Sequence, residues 1–359
     1  MNYKTKIDQL KNKLEEMESP ARLDIVFTPG RAPTQAFSEF LTNKEQGDWA
    51  EKTFIDIFNQ KNLKYWAVKY GKSEDLIAGE KGFDEYYESY QGELSEIGKR
   101  PDLLIFERDF FKDKYGEIID ISNLQRFELD ALVKKALQAI EVRSSAFISE
   151  KYAAHAAIIR KTSTDIIIDA CEKLINEYTE EISQNKHWLS FIKNIITTKE
   201  IDFDNPRAMS RSSTKRLEEC SLLTKEINKN INIIKKRDFL SITPKAEDLS
   251  LVYKWISIYD VPHFYCQVFF DQAIILSFED ILTILADPKE EEINYFIEKD
   301  EKNQGKVTFK INIRLGKRVM DKLSLPKHFS AMRELPKGRL LFYVKFEPSS
   351  GQFVEKYIE

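Results

Sequence analysis

Two short apolar segments, each bordered by one acidic side chain, constrain this chain more than any other feature. They are residues 100–106 and 139–145, and they carry Asp102 and Glu141. The apolar residues predict two buried strands, and a carboxylate at the end of a buried strand is costly unless a proton or a cation compensates its charge. We therefore expect the two carboxylates to meet and to bind a hard divalent cation, which prefers oxygen ligands.

The spacing of apolar residues predicts a mixed α/β (α+β) fold, in which helices flank a central mixed sheet. Residues 127–138 have helical spacing, with Leu137 facing inward, and lead into the strand that carries Glu141. In residues 239–270, the pattern of apolar residues predicts a strand, a helix and a second strand. The length of the connection between the two strands predicts a right-handed β-α-β unit with parallel strands.

Three parts of the chain differ in pattern, and we predict that they form one composite domain. Residues 1–145 supply N-terminal helices and the first half of the core, and residues 146–238 form a helical insertion. Residues 239–359 supply the rest of the core sheet and a basic, β-rich C-terminal region. Its last hairpin is predicted to join residues 340–346 to 352–354.

Composition excludes several classes of protein. With 42% hydrophobic and 32% charged residues, the chain is neither disordered nor fibrous. No apolar run approaches the roughly 18 residues that a membrane span needs. The N-terminus also lacks the apolar stretch of a secretory signal. We therefore expect a cytoplasmic protein with no membrane partner.

The net charge of −4 conceals two basic tracts. Residues 302–343 contain eleven Lys or Arg against two acidic residues, and residues 205–238 contain nine against four. Such tracts on an acidic chain predict a localised surface for a polyanion, although a solvated lysine-rich face explains either tract alone equally well. The candidate contact residues are Lys306, Lys310 and Arg314 in one tract and Arg207, Arg211, Lys215 and Arg216 in the other.

A divalent cation held by carboxylates is suited to phosphodiester hydrolysis, because it places positive charge on the phosphate oxygens and lowers the pKa of bound water. Asp102 and Glu141 would be its ligands. The Val142 carbonyl is a plausible third ligand, since it follows on the same strand. Arg143 emerges on the same side as Glu141 and would stabilise developing negative charge.

The Pro101-Asp102 and Glu141-Val142 pairs resemble the motif of the PD-(D/E)xK nuclease superfamily, whose second half normally ends in lysine. Arg143 stands in the place of that lysine. Because arginine stays protonated at any relevant pH, it would be a poor proton acceptor. Either the metal site provides the base alone or a lysine arrives from elsewhere in the chain.

Lys245 is the candidate for a relocated lysine. It follows the predicted strand 239–243, whose end would reach the same rim if that strand neighbours the Glu141 strand in parallel. The alternative is that residues 244–248 only cap the next helix. The resemblance also implies an acidic residue on the helix before the catalytic strands, and Glu51 fits, unless it is an ordinary solvent-facing glutamate.

Longer segments resemble the AccI-type group of type II restriction endonucleases, namely SEFLTNKEQGDWAE (38–51), GKRPD (98–102), EVRSS (141–145), AEDL (246–249) and VPHFY (261–265). This resemblance implies a homodimer that uses Mg²⁺ to cut double-stranded DNA at a short symmetric site, with a cognate DNA methyltransferase that protects host DNA. Two other hypotheses stay open. One is a structure-specific repair or junction nuclease of the same superfamily, and the other is a non-catalytic DNA-binding protein.

Overall fold

The structure, a computed structural model, describes residues 2–72, 76–201, 203–210, 214–235, 239–300 and 306–354. The chain divides into two compact units. The first contains Met1–Ser149 and Leu240–Glu359, and the second contains Glu150–Phe239. The second unit is therefore inserted, in sequence, between the two parts of the first.

Helices and strands follow one another irregularly along the chain. The helices are α1 (Tyr3–Glu16), α2 (Ser38–Lys61), α3 (Phe83–Ile97), α4 (Arg108–Tyr115), α5 (Arg126–Val133), α6 (Ser149–Glu177), α7 (Thr179–Ser183), α8 (Lys186–Thr198), α9 (Lys215–Lys235), α10 (Ala246–Tyr259) and α11 (Phe278–Leu285). The strands are β1 (Tyr65–Lys69), β2 (Leu103–Glu107), β3 (Gln138–Ser144), β4 (Ser241–Ile242), β5 (His263–Val268), β6 (Ala273–Ser277), β7 (Tyr295–Asp300), β8 (Lys306–Asn312), β9 (Lys317–Asp321), β10 (His328–Leu335), β11 (Arg339–Phe346) and β12 (Gln352–Phe353). None of the helices in the described ranges is long and apolar enough to cross a membrane.

A mixed sheet with the strand order β1-β2-β3-β5-β6-β9-β12 is the centre of the first unit. Its described strands pair antiparallel, except that β3 and β5 are parallel. One face packs on α2, whose Phe54 belongs to the same core as Ile140 and Val142 of β3. On the other face, Trp255 of α10 and Phe278 of α11 contact His263 of β5. These layers confirm the predicted mixed α/β fold with helices flanking a mixed sheet.

The predicted C-terminal hairpin is wrong. Strand β11 pairs with β10 in a separate two-stranded sheet, whereas β12 pairs with β9 at the edge of the central sheet. Strand β11 pairs with β10 along its whole length, whereas β12 is only two residues long and could pair with β11 over two residues at most. The longer ladder satisfies more backbone groups and therefore determines the pairing.

The predicted parallel unit over residues 239–270 is also wrong. Strand β4 pairs antiparallel with β8 in a three-stranded sheet, and the parallel neighbour of β3 is β5. Pro244, which has no backbone N–H, follows β4 and limits its extension. The helix predicted over 127–138 ends early as α5, so that Leu137 is 39% exposed rather than inward.

The second unit is helical in its described residues. Its core contains Trp188 and Ile192 of α8 together with Ile227 and Ile231 of α9, all of them buried. The helical spacing of apolar residues in this part of the sequence is thus satisfied within the unit itself.

Candidate active site

The register between β2 and β3 brings Asp102 and Glu141 together. Leu103 pairs with Ile140, so the next position along this antiparallel ladder sets Asp102 opposite Glu141. Because side chains alternate along a strand, Ile140 and Val142 enter the core under α2 while Glu141 points to the opposite face. The two carboxylates therefore emerge at the end of one strand pair, on one side of the sheet.

Asp102 is held against the backbone of β3. Its Oδ2 accepts a hydrogen bond of 2.6 Å from the backbone N–H of Val142. Its own carbonyl accepts hydrogen bonds from the N–H groups of Tyr70 and Gly71. Burial, and then the negative charges of Glu141 and Glu51, raise the pKa of Asp102 well above its usual value. A bound cation would therefore offset the repulsion between the acidic side chains at this position.

The two oxygens of Glu141 have different surroundings. Its side chain is 2% exposed, and Oε1 lies 2.6 Å from the ammonium group of Lys99 and 2.9 Å from the guanidinium group of Arg143. Oε2 is buried and has no hydrogen-bond partner among the residues that the structure describes. One oxygen of Glu141 is therefore neutralised by cations, and the other is left to accept a ligand.

Asp248, in the first turn of α10, completes a four-membered charge cluster. Its Oδ2 accepts hydrogen bonds from Lys99 at 2.8 Å and from Arg143 at 2.9 Å. Burial would raise the pKa of Asp248, but the charges of Lys99 and Arg143 outweigh that effect and lower it to about 2. Burial and Arg143 would lower the pKa of Lys99, but Asp248 and Glu141 together raise it. Asp248, Lys99 and Arg143 are therefore charged at neutral pH.

Glu51 lies on α2 beside the same cleft. Its Oε2 accepts a hydrogen bond of 2.8 Å from Lys69, at the end of β1. Burial raises the pKa of Glu51, although the charge of Lys69 opposes the change. Glu51 lines the same cleft as Asp102, and its negative charge contributes to the raised pKa of Asp102.

Lys245 reaches the cleft by a route other than the predicted one. It immediately precedes α10, and its backbone pairs with Thr308 of β8 rather than with β3. Burial of its ammonium group lowers the pKa of Lys245, and Arg143 and Lys99 lower it further, against the opposing charge of Asp248. Lys245 is thus a cation whose proton is easier to remove than that of an ordinary lysine.

All five predicted catalytic residues line one cleft of about 540 Å³, namely Glu51, Asp102, Glu141, Arg143 and Lys245. In the described part of the chain, no three His, Cys, Asp or Glu side chains are grouped so that they could hold a metal ion. Two carboxylates with a backbone carbonyl and water are nevertheless a donor set that Mg²⁺ accepts. The buried, unpartnered Oε2 of Glu141 and the raised pKa of Asp102 both fit such an ion.

The cleft residues that the sequence analysis did not predict include Lys69, Lys99 and Asp248, which form ion pairs with predicted site residues. Lys99 had the clearest signal, because it comes three residues before Asp102 in the segment GKRPD. Asp248 has the usual position of a helix-capping acid, so the pattern alone gave it no other role. Lys69 could have been found by aligning the end of β1 with the start of β2.

The DNA-contact candidates belong to both units. Lys306 and Lys310 lie on β8 and pair with Glu247 and Glu298 at 3.2 and 3.0 Å, while Arg314 lies in a 3₁₀ turn after the strand. In the second unit, Arg207 and Lys215 are exposed. Arg216 pairs with Glu181, and Arg211 lies outside the described residues.

The chain matches a known protein family. The family model described as AccI restriction endonuclease matches residues 2–355, nearly the whole chain. No curated protein and no solved structure matches the chain.

Proposed function

Because this chain belongs to the AccI restriction endonuclease family, and is therefore a type II site-specific deoxyribonuclease, we propose that it uses Mg²⁺ to cut double-stranded DNA at a short symmetric site. The observation that carries the proposal is the pair Asp102 and Glu141, which emerge side by side next to Lys99 and Arg143. Two carboxylates beside two cations suit a reaction that needs both a metal ion and positive charge on a phosphate.

Asp102, Oε2 of Glu141 and the Val142 carbonyl would hold the metal ion. Bound Mg²⁺ supplies positive charge to the phosphate oxygens and lowers the pKa of its water. The Val142 N–H orients Asp102 through their hydrogen bond, and Lys99 and Arg143 orient Glu141 through Oε1. The residues behind the ligands thus fix the direction in which the free oxygens point.

The cationic side chains of the cleft have different proposed roles in the reaction. Lys99 and Arg143 stay protonated beside Asp248 and Glu141, so they stabilise negative charge on the transferred phosphate rather than accept a proton. Lys245 has a lowered pKa, so it is the better candidate to lose its own proton and then, as a neutral amine, to accept a proton from the attacking water. Glu51, which is held by Lys69, would position a water molecule in the cleft.

Two copies of the chain would act together, since a twofold protein presents equivalent surfaces to the two halves of a symmetric site. A cognate DNA methyltransferase would protect host DNA without contacting this protein. Light scattering during size exclusion, with and without a duplex that carries the site, measures the number of copies.

Digestion of a long plasmid tests the proposal. Discrete fragments in Mg²⁺, none in EDTA, and identical ends after fragment sequencing are the expected results. Cutting of branched or damaged DNA alone would instead indicate a structure-specific nuclease. Binding without product under any divalent ion would indicate a non-catalytic protein.

A further inference from the structure

An apolar cavity of about 250 Å³ lies next to the catalytic cleft. Phe37, Phe83 and Tyr87 contribute to its lining, which exposes little polar surface. Phe40, Tyr86 and Tyr90 line both the cavity and the cleft. A polymer that lies along the cleft therefore passes the entrance of the cavity, which we call the aromatic cavity.

Two exposed phenylalanines lie at the aromatic cavity. Phe37, just before α2, is 57% exposed, and Phe40, in the first turn of α2, is 45% exposed. The guanidinium group of Arg339 lies 5.5 Å from the centre of the Phe37 ring. An aromatic surface next to a cation suits a ligand that has a flat ring attached to an anionic backbone.

We propose that the aromatic cavity receives a single nucleobase rotated out of the DNA duplex that occupies the cleft. This inference rests on the proposed function, because it requires DNA in the cleft. The cavity is smaller than the roughly 300–1,000 Å³ of a typical drug-sized site, which suits one planar ring. Stacking on aromatic side chains contributes about 1–3 kcal/mol per base and tolerates different bases, so the lining favours stacking over hydrogen-bond recognition.

The cost of unpairing provides a test. An enzyme that rotates a base outward binds more tightly when that base has no pairing partner, because the unpairing cost has already been removed. The probes are short duplexes with the preferred site, found by cleavage or by selection from random DNA. Each base in turn faces an abasic nucleotide, and fluorescence anisotropy in EDTA measures binding without cutting.

We expect binding to tighten by about tenfold at one position of each strand and to stay equal or weaken elsewhere. Phe40→Ala and Phe37→Ala, both at exposed positions, should remove most of this gain. Phe127→Ala is the matched control, since Phe127 is 79% exposed on α5 and does not line the aromatic cavity. It should keep the gain.

Three outcomes would overturn the inference. The first is that binding tightens at no position. The second is that both cavity variants keep the tighter binding. The third is that the Phe40→Ala protein keeps the tighter binding but dissociates into smaller oligomers. The last result would assign the exposed rings to a second copy of the chain. A protein that cuts plasmid normally but has no tightened position contradicts only this inference, whereas one with the tightened position and no cutting contradicts the proposed function.

Discussion

The ammonium group of Lys99 lies 2.6 Å from Oε1 of Glu141. The side chain of Lys99 is only 17% exposed, so this ion pair is formed largely away from water. Lys99, three residues before Asp102, therefore lies beside Glu141 and Arg143. The resemblance to PD-(D/E)xK nucleases leads one to expect a lysine at position 143. The local charge that the resemblance leads one to expect from position 143 is supplied by two residues.

Removing either proposed metal ligand should abolish cutting. Asp102→Asn and Glu141→Gln keep the shape of each side chain but lose its charge. We expect losses larger than the 10–100-fold caused by changes behind metal ligands, with DNA binding in EDTA retained. Plasmid digestion and anisotropy measure the two effects. Full cutting by either variant would refute the assignment.

Without metal, the Asp102→Asn variant should have a higher melting temperature than wild type, because a buried carboxylate near Glu141 and Glu51 is removed.

Lys99→Met should slow turnover at saturating DNA by about 10²–10³-fold, the usual cost of losing one preorganised donor. The variant should also lose about 2 kcal/mol of unfolding free energy, because Glu141 and Asp248 lose a charged hydrogen-bond partner. Single-turnover kinetics and urea denaturation measure these changes. Lys112→Met is the control, since Lys112 pairs with the exposed Glu117 on the surface. Wild-type turnover in Lys99→Met would exclude a catalytic contribution from this ammonium group.

The charge cluster predicts a specific pH dependence of stability. Lys99 and Arg143 lower the pKa of Asp248 to about 2 in the folded protein, although burial opposes them. An unfolded aspartate titrates near about 3.9. The stability that the Asp248 charge provides is therefore complete above about pH 4 and is lost as the pH falls toward 2. Comparing Asp248→Asn with wild type by denaturation at several pH values should show a difference that shrinks over this range and is constant above it.

Gly71 provides a steric test of the position of Asp102. A Cβ atom at residue 71 would lie 3.1 Å from Cα of Asp102 and 3.4 Å from its Oδ1. Gly71→Ala should therefore displace Asp102 by a few tenths of an ångström and reduce cutting by about tenfold, since small misplacements of reacting groups are costly. Gly92→Ala is the control, because a Cβ at Gly92 in α3 meets nothing within 4 Å. Equal cutting by both variants would contradict the proposed role of Asp102.

Salt dependence tests the basic face of β8. If Lys306 and Lys310 contact phosphates, their double replacement by alanine should reduce the slope of log K against log salt concentration by about 2, since each contact contributes about 0.9. Both lysines must then exchange their glutamate partners for phosphates. Anisotropy titrations over a range of salt concentrations measure the slope, and the exposed Lys289→Ala is the control. An unchanged slope would remove β8 from the DNA surface.

The sequence predicted the parts of the site that depend on strand ends. The positions of Asp102 and Glu141 follow from two apolar runs and from the rule that neighbouring strands bring their ends together. Lys99 and Asp248 could not be predicted in this way, because they are 149 residues apart in sequence and meet only through the packing of α10. The predicted pairing of β11 was wrong for a similar reason. The turn after β11 predicted a hairpin with β12, but β11 pairs with the longer strand β10 instead.

The order of the residues along the chain has a consequence for biosynthesis. Asp102 and Glu141 are translated before the inserted second unit, whereas Asp248 and strand β5, the neighbour of β3, come after it. A nascent polypeptide that ends after β3 but before α10 thus contains both proposed ligands, but lacks the strand beside β3 and the negative charge of Asp248. We therefore expect such fragments to lack cutting activity, because β5, the parallel neighbour of β3, is absent from them.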